Sequence, residues 1–211
     1  MAYTGSAAQL ALVQLVEFRA DQITGTGQTI GVNKERIYAE LELAARKVLR
    51  TARRELVFAH ATEDAASLNT DKVTVNDRLR LPLPADFLRF LRIECENWQF
   101  PVDELTPSDS ERYRAQANEY SRADSFHPVA AIVPYGTAPG YAVEPFPASA
   151  ADEPVTEFFY VAETDPEDMP DTLKDAMVYY AATSVLLNER RPGEAATALA
   201  SAESEMVSIQ V

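Results

Sequence analysis

The sequence predicts an α+β fold in which N- and C-terminal helices form a bundle and a small antiparallel β-sheet region lies between them in the chain. Three observations point to it. None of the 13 prolines precedes Pro82, so the first third is free to be helical. From Lys72 the hydrophobic period changes from helical to alternating, and after Pro170 the helical period returns.

Ser6 is placed to cap a first helix, with Leu10, Leu12, Val13, Leu15, Val16 and Phe18 forming a broad apolar surface that should end near Asp21. Gly25, Gly27 and Gly31 supply the turns of a loop over residues 24–31. Asn33 then caps a longer helix expected to run to His60. Ile37, Leu41, Ala44, Ala45, Val48, Ala52, Leu56 and Ala59 recur on one face of it. The other face carries Arg36, Arg46, Lys47, Arg50, Arg53 and Arg54. Residues 33–60 hold seven basic and four acidic side chains, a local +3 on a chain of formal charge −14. Such a face is either ordinary solvated surface or a contact for an acidic partner or neighbouring subunit.

In the middle third, Val73, Val75, Leu79, Leu81 and Leu83 alternate with polar residues, the pattern of a strand running into a turn. Residues 84–89 read as one helical turn opened by a proline, and 90–96 as a second extended run. Ser108 and Glu111 have capping-box spacing for a short helix to about Tyr120. Residues 130–133, 141–146 and 156–162 read as strands with Pro or Gly at or near their ends.

The acidic run Asp165-Pro-Glu-Asp-Met-Pro-Asp171 opens a helix, and Arg190 with Arg191 closes it, each charge facing the end of the helix dipole that favours it. Pro192-Gly193 is the expected break, and residues 194–206 form an alanine-rich helix with a thin apolar face. The expected organisation is therefore an N-terminal helix and glycine loop (1–32), a core (33–191) whose β region spans 72–162, and a C-terminal docking segment (192–211). In that last segment Met206, Val207 and Ile209 can enter a partner's groove or add to a sheet edge.

Composition excludes several classes of function. A charge of −14 and a pI near 4.5 oppose any surface that works by neutralising phosphates or anionic lipid, so neither sequence-specific nucleic-acid binding nor a membrane partner is expected. One cysteine cannot form an internal disulfide, and two histidines cannot fill a His-rich metal site. The N-terminal residues lack a basic region of the signal-peptide kind, so a soluble chain made in the cytoplasm is expected.

No motif carries an obvious reaction. The run from Gly25 to Gly31 departs from the dinucleotide fingerprint in its last spacing and follows a helix where a strand is required. His60 and His127 have no nucleophile in a recognisable arrangement, and Cys95 lies between Glu94 and Glu96, which would raise its pKa. The carboxylates of Asp165, Glu167, Asp168 and Asp171 lack the spacing of a calcium loop and are explained by helix capping. No catalytic residue, metal or cofactor is expected.

At Leu83-Pro84-Ala85-Asp86-Phe87-Leu88-Arg89 the sequence resembles the head-to-tail adaptors of short-tailed bacteriophages, the tail tubular protein A or gatekeeper type. In that family a Leu-Pro-x-Asp-Phe turn precedes a strand, a region of short strands with a helical segment, and a further strand leading to a late helix. Here residues 89–96, 108–120, 155–162 and 169–182 correspond, and the likeness covers roughly residues 34–190.

The resemblance implies a structural virion protein at the head–tail junction. It would form a ring, commonly of twelve subunits, between the portal protein and the tail nozzle protein, with DNA passing through an acidic lumen without specific binding. It also implies that terminal segments grip the portal, which makes Met206, Val207 and Ile209 the expected portal contacts. Arg50, Arg53 and Arg54 are the expected contacts to an acidic neighbour. The alternatives are another tail-completion or nozzle component and, from a different class, a small acidic enzyme.

Overall fold

A computed structural model describes residues 3–25, 33–136, 140–148 and 151–207. Among these are seven α-helices and eight strands in two sheets, an α+β fold. The chain divides into two compact units, one of Met1–His60 with Glu163–Val211 and one of Ala61–Ala162. The boundaries expected at residues 32 and 192 are not where the chain divides. No helix among the described residues is long and apolar enough to cross a membrane.

The first unit is helical. Helix α1 (Ala7–Thr24) opens where the Ser6 hydroxyl accepts the Gln9 N–H, and ends at Gly25, whose φ of 62° suits a residue without Cβ. Helix α2 (Lys34–Thr51) is capped by Asn33 and buries Ile37, Leu41, Ala44, Ala45 and Val48, the face expected of it. It does not continue to His60. Ala52 is extended (ψ 155°) and a separate short helix, α3 (Arg54–Phe58), follows. In an unbroken helix positions 52 and 57 would face directions about 140° apart. The break allows both Ala52 and Val57 to be buried, leaving Leu56 only half-buried.

Two further helices belong to this unit, α6 (Asp171–Asn188) and α7 (Pro192–Val207). Helix α6 packs against α1, α2 and α7 and buries residues around most of its circumference. The reversal lies before the proline, not at Pro192-Gly193. Arg190 adopts φ 61°, its N–H donates to Leu187, and the Arg191 N–H reaches back to Leu186, the hydrogen-bond pair of a Schellman stop. Pro192 then serves as the first residue of α7, where a missing N–H has no helical partner to lose. The alanines of α7 form no frayed face: Ala195, Ala198 and Ala202 are buried, and their small side chains allow close approach to α6.

The second unit holds the sheets. One is three-stranded, ordered β1 (Thr62–Glu63), β8 (Val155–Ala162), β4 (Phe87–Cys95), all antiparallel. The other runs β2 (Val73–Val75), β3 (Arg78–Pro82), β7 (Gly140–Phe146), β6 (Val129–Tyr135), β5 (Thr106–Pro107), antiparallel except for the β5–β6 pair. The single strand expected after Lys72 is a hairpin, because Asn76 and Asp77 both take positive φ (52° and 60°) in a two-residue turn. Helix α4 (Ala65–Asp71) contributes Leu68 to a core with Leu81, Ile93, Cys95, Ala130, Val143 and Phe158. The short helix α5 (Glu111–Arg114) is capped by Ser110, whose hydroxyl accepts the Tyr113 N–H, two residues later than the expected cap.

Candidate functional site

Within the Leu83–Phe87 segment the chain makes a β-turn over residues 84–87, not a helical turn: the Phe87 N–H donates to the Pro84 carbonyl at 3.1 Å, and Phe87 already begins β4. Each distinctive residue of the motif has a structural task. Pro84 supplies the carbonyl that closes the turn, Asp86 accepts the Tyr160 hydroxyl at 3.1 Å, and the Phe87 ring stacks on that of Tyr160 with centroids 5.9 Å apart. Burial, and then the bond to Asp86, push the Tyr160 phenol up to about 12. The turn is thereby pinned to β8, the strand beside β4.

A second polar arrangement sits on the outer face of the five-stranded sheet. Leu81 and Val143 pair in register and point into the core, so Arg78 and Arg80 on β3 and Glu144 on β7 share the opposite face. The Arg80 Nε lies 2.8 Å from Glu144 Oε1, and the Arg78 Nη1 lies 3.4 Å from Oε2. The Tyr113 hydroxyl of α5 donates to that same Oε2 at 2.8 Å and accepts from Arg78 at 2.7 Å. The Arg78 guanidinium also lies over the Tyr113 and Phe146 rings. Burial, and then the Glu144 bond, raise the Tyr113 phenol above its ordinary range.

Glu144 is a buried carboxylate satisfied on both oxygens, and this cluster ties α5 to the sheet. Sequence reasoning missed it because its members lie up to 66 residues apart. The available signal was two arginines on one face of a strand and a lone acid within an apolar one. A groove of about 560 Å³ beside it is lined by Arg78, Arg122, Gln116 and Phe146 together with Asp77 and Asp124. The mixture of charge gives it none of the positive excess that a polyanion needs.

The expected interaction residues are separated by the fold into exposed and buried groups. Arg50 and Arg53 are exposed, and Arg54 lies over the Phe58 ring. Part of the basic helix face is engaged within its own unit: Arg46 pairs with Glu163, and the Lys47 ammonium stands 4.1 Å over Tyr180. Met206 is 7% exposed and accepts the Thr51 hydroxyl on its sulfur at 3.4 Å, so it is a core residue of α7 and not a surface contact. Val207 is exposed, while Ile209, like Gly27 and Gly31, lies outside the described residues.

Cys95 is buried, and burial followed by the neighbouring Glu94 push its thiol up to about 12. His60 is exposed, and the His127 Nδ1 lies 3.2 Å from Asp124, which also accepts the Phe126 and His127 backbone N–H groups. Of the acidic run, Glu167 accepts the buried Tyr38 hydroxyl at 2.6 Å and Asp171 pairs with Lys174 at 3.0 Å. Among the described residues no group of three or more His, Cys, Asp and Glu side chains is arranged to hold a metal ion. No protein-family model matches the chain, and no curated protein matches it.

Proposed function

We propose that the chain is a structural virion protein, a head-to-tail adaptor whose subunits form a ring between the portal and the tail nozzle, made in the host cytoplasm and built in at the head–tail junction. One observation carries most of this reading. The Leu83–Phe87 turn feeds directly into β4, β4 pairs with β8, and β8 precedes the long helix α6, which is the order of parts in the family that the sequence resembles.

Charge supports the same role. Residues 61–162 carry 17 acidic and 8 basic side chains, and residues 163–211 carry 10 and 3. Carboxylates facing a lumen repel phosphate and let a duplex slide, whereas a basic lumen would hold it by counterion release. Arg50 and Arg53, exposed beyond the internally paired part of α2, are available to an acidic neighbour. On this reading the protein is a conduit and not an enzyme, and it needs no cofactor.

Immunogold electron microscopy of intact virions with antibody against this chain tests the reading. Label confined to the head–tail junction is the expected result. Label on the capsid or the distal tail, or none on virions, would replace it with one of the other roles.

A further inference from the structure

We propose that the groove beside the Glu144 cluster binds a peptide segment of another protein, one that carries both an acidic and a basic side chain and is neutral overall. The proposal goes beyond the adaptor reading and does not depend on it. Its chemistry starts from Arg78. The Arg78 Nη1 is taken up by the Tyr113 hydroxyl at 2.7 Å and by Glu144 at 3.4 Å, and the guanidinium lies over the Tyr113 and Phe146 rings. Nε and Nη2 have no partner and are not among the buried polar atoms that lack one, so this edge of the guanidinium meets solvent. Two N–H groups on one edge match the two oxygens of a carboxylate. A side chain already held by two rings and a hydroxyl loses little further freedom on binding one.

The same groove holds three more charges, Asp77 in the turn before β3 and Arg122 and Asp124 in the segment between α5 and β6. Two cations and two anions line one concavity, yet among the described residues no ion pair joins any two of them. Arg78 pairs with Glu144 and Asp124 with His127, while the side chains of Asp77 and Arg122 make neither a hydrogen bond nor an ion pair. The chain around these charges is tied down. The Gln116 side-chain carbonyl accepts the Ala123 N–H at 2.8 Å, Asp124 accepts the Phe126 and His127 N–H groups, and the Trp98 indole donates to the Pro147 carbonyl at 2.9 Å.

Charge selects the occupant. Opposite charges held in one groove without pairing are each available to a ligand group of the other sign, and their sum of zero suits a ligand that is itself neutral. The rest of the lining is mainly apolar, with Leu79, Phe146 and Pro147 offering surface to the body of such a ligand. A volume of about 560 Å³ lies within the range of ligand sites. Asp77, Arg122 and Asp124 are exposed, so whatever they hold stays partly in water. A small-molecule site encloses most of its ligand, whereas a segment of a larger partner is covered on its other side by that partner.

NMR titration of the isotope-labelled full chain tests this, reading the Arg78 Nε–H and the backbone signals of residues 77–79 and 122–124. The probes are capped peptides in which one Glu and one Lys are separated by an alanine spacer of varied length. For at least one spacer the groove signals are expected to shift and to saturate below about 5 mM peptide. Arg78→Lys keeps a positive charge beside Glu144 but removes the two-nitrogen edge, and is expected to weaken binding about tenfold. The exposed variants Asp77→Asn and Arg122→Gln are expected to weaken it roughly threefold each, and they carry the test if Arg78→Lys does not fold. Peptides with Gln in place of the Glu or the Lys should bind more weakly than the parent, and a DNA duplex should leave the groove signals unmoved. No shift with any spacer, equal binding by the singly charged peptides, or full affinity in the folded variants would each overturn the proposal. A duplex that moves the same signals would overturn it in favour of a polyanion.

Discussion

Arg80 meets Glu144 at 2.8 Å across neighbouring strands, and the carboxylate it meets is 1% exposed at its side chain. A buried carboxylate is tolerated only where its charge is matched and its lone pairs are occupied, and here Arg80, Arg78 and Tyr113 do both. Arg80→Ala leaves that charge with a longer Arg78 contact and one hydroxyl. The expected loss in urea unfolding is about 3 kcal/mol or more. The double variant Arg80→Met with Glu144→Leu should recover most of it, because neither charge is then left in the sheet. A full-size loss in the double variant would show that shape, and not charge, holds this site.

Tyr38, Cys95 and Tyr160 all have proton affinities raised chiefly by burial. A raised folded-state pKa contributes stability that is fully present below the ordinary value and is lost as pH climbs through the folded one. Stability should therefore hold up to about the ordinary Cys value of 9.0 and fall between there and 12. Cys95→Ala and Tyr160→Phe should each flatten that alkaline fall in denaturant titrations. Rapid labelling of the folded wild-type thiol near pH 8 would contradict the burial of Cys95.

Helix α7 docks through alanines, so its tolerance is steric. Ala198→Leu inserts volume where α7 approaches α6 and is expected to cost about 1–3 kcal/mol, whereas the same change at the exposed Ala200 should cost almost nothing. Equal effects at the two positions would mean that α7 is held loosely.

Much of this fold was readable from residues in local register. The amphipathic face of α2, the strand pattern of β6, β7 and β8 and the helix after Pro170 all follow from period and proline placement. The errors came where tertiary burial or backbone conformation overrode the local pattern. Leu56 and Ala59 continue the α2 period, yet the chain breaks at Ala52 to bury Val57. Asn76-Asp77 looked like part of an alternation because nothing but its turn-forming residue types marks the hairpin. Met206 and Val207 looked alike as apolar tail residues, but the step of about 100° between neighbours on α7 puts Met206 in the core and leaves Val207 outside. The Glu144 cluster depended on register between strands distant in sequence, which no local pattern carries.

The exposed end of the basic helix gives a prediction about assembly. Reversing Arg50, Arg53 and Arg54 to Glu should weaken ring formation or portal attachment, more strongly at low salt than at high salt, with far-UV circular dichroism unchanged. Arg54 contributes some packing through its place over Phe58, so Arg50 and Arg53 reversed alone form the cleaner variant. Unchanged assembly in that double variant would return this face to ordinary solvation.

The adaptor role itself is tested most directly by mixing the purified protein with the portal protein of the same phage and imaging the product by electron microscopy. The expected image is a ring of this chain seated coaxially on the portal ring, with an open central channel. Portal rings that remain bare at saturating protein, under conditions where both components are folded, would contradict the adaptor role.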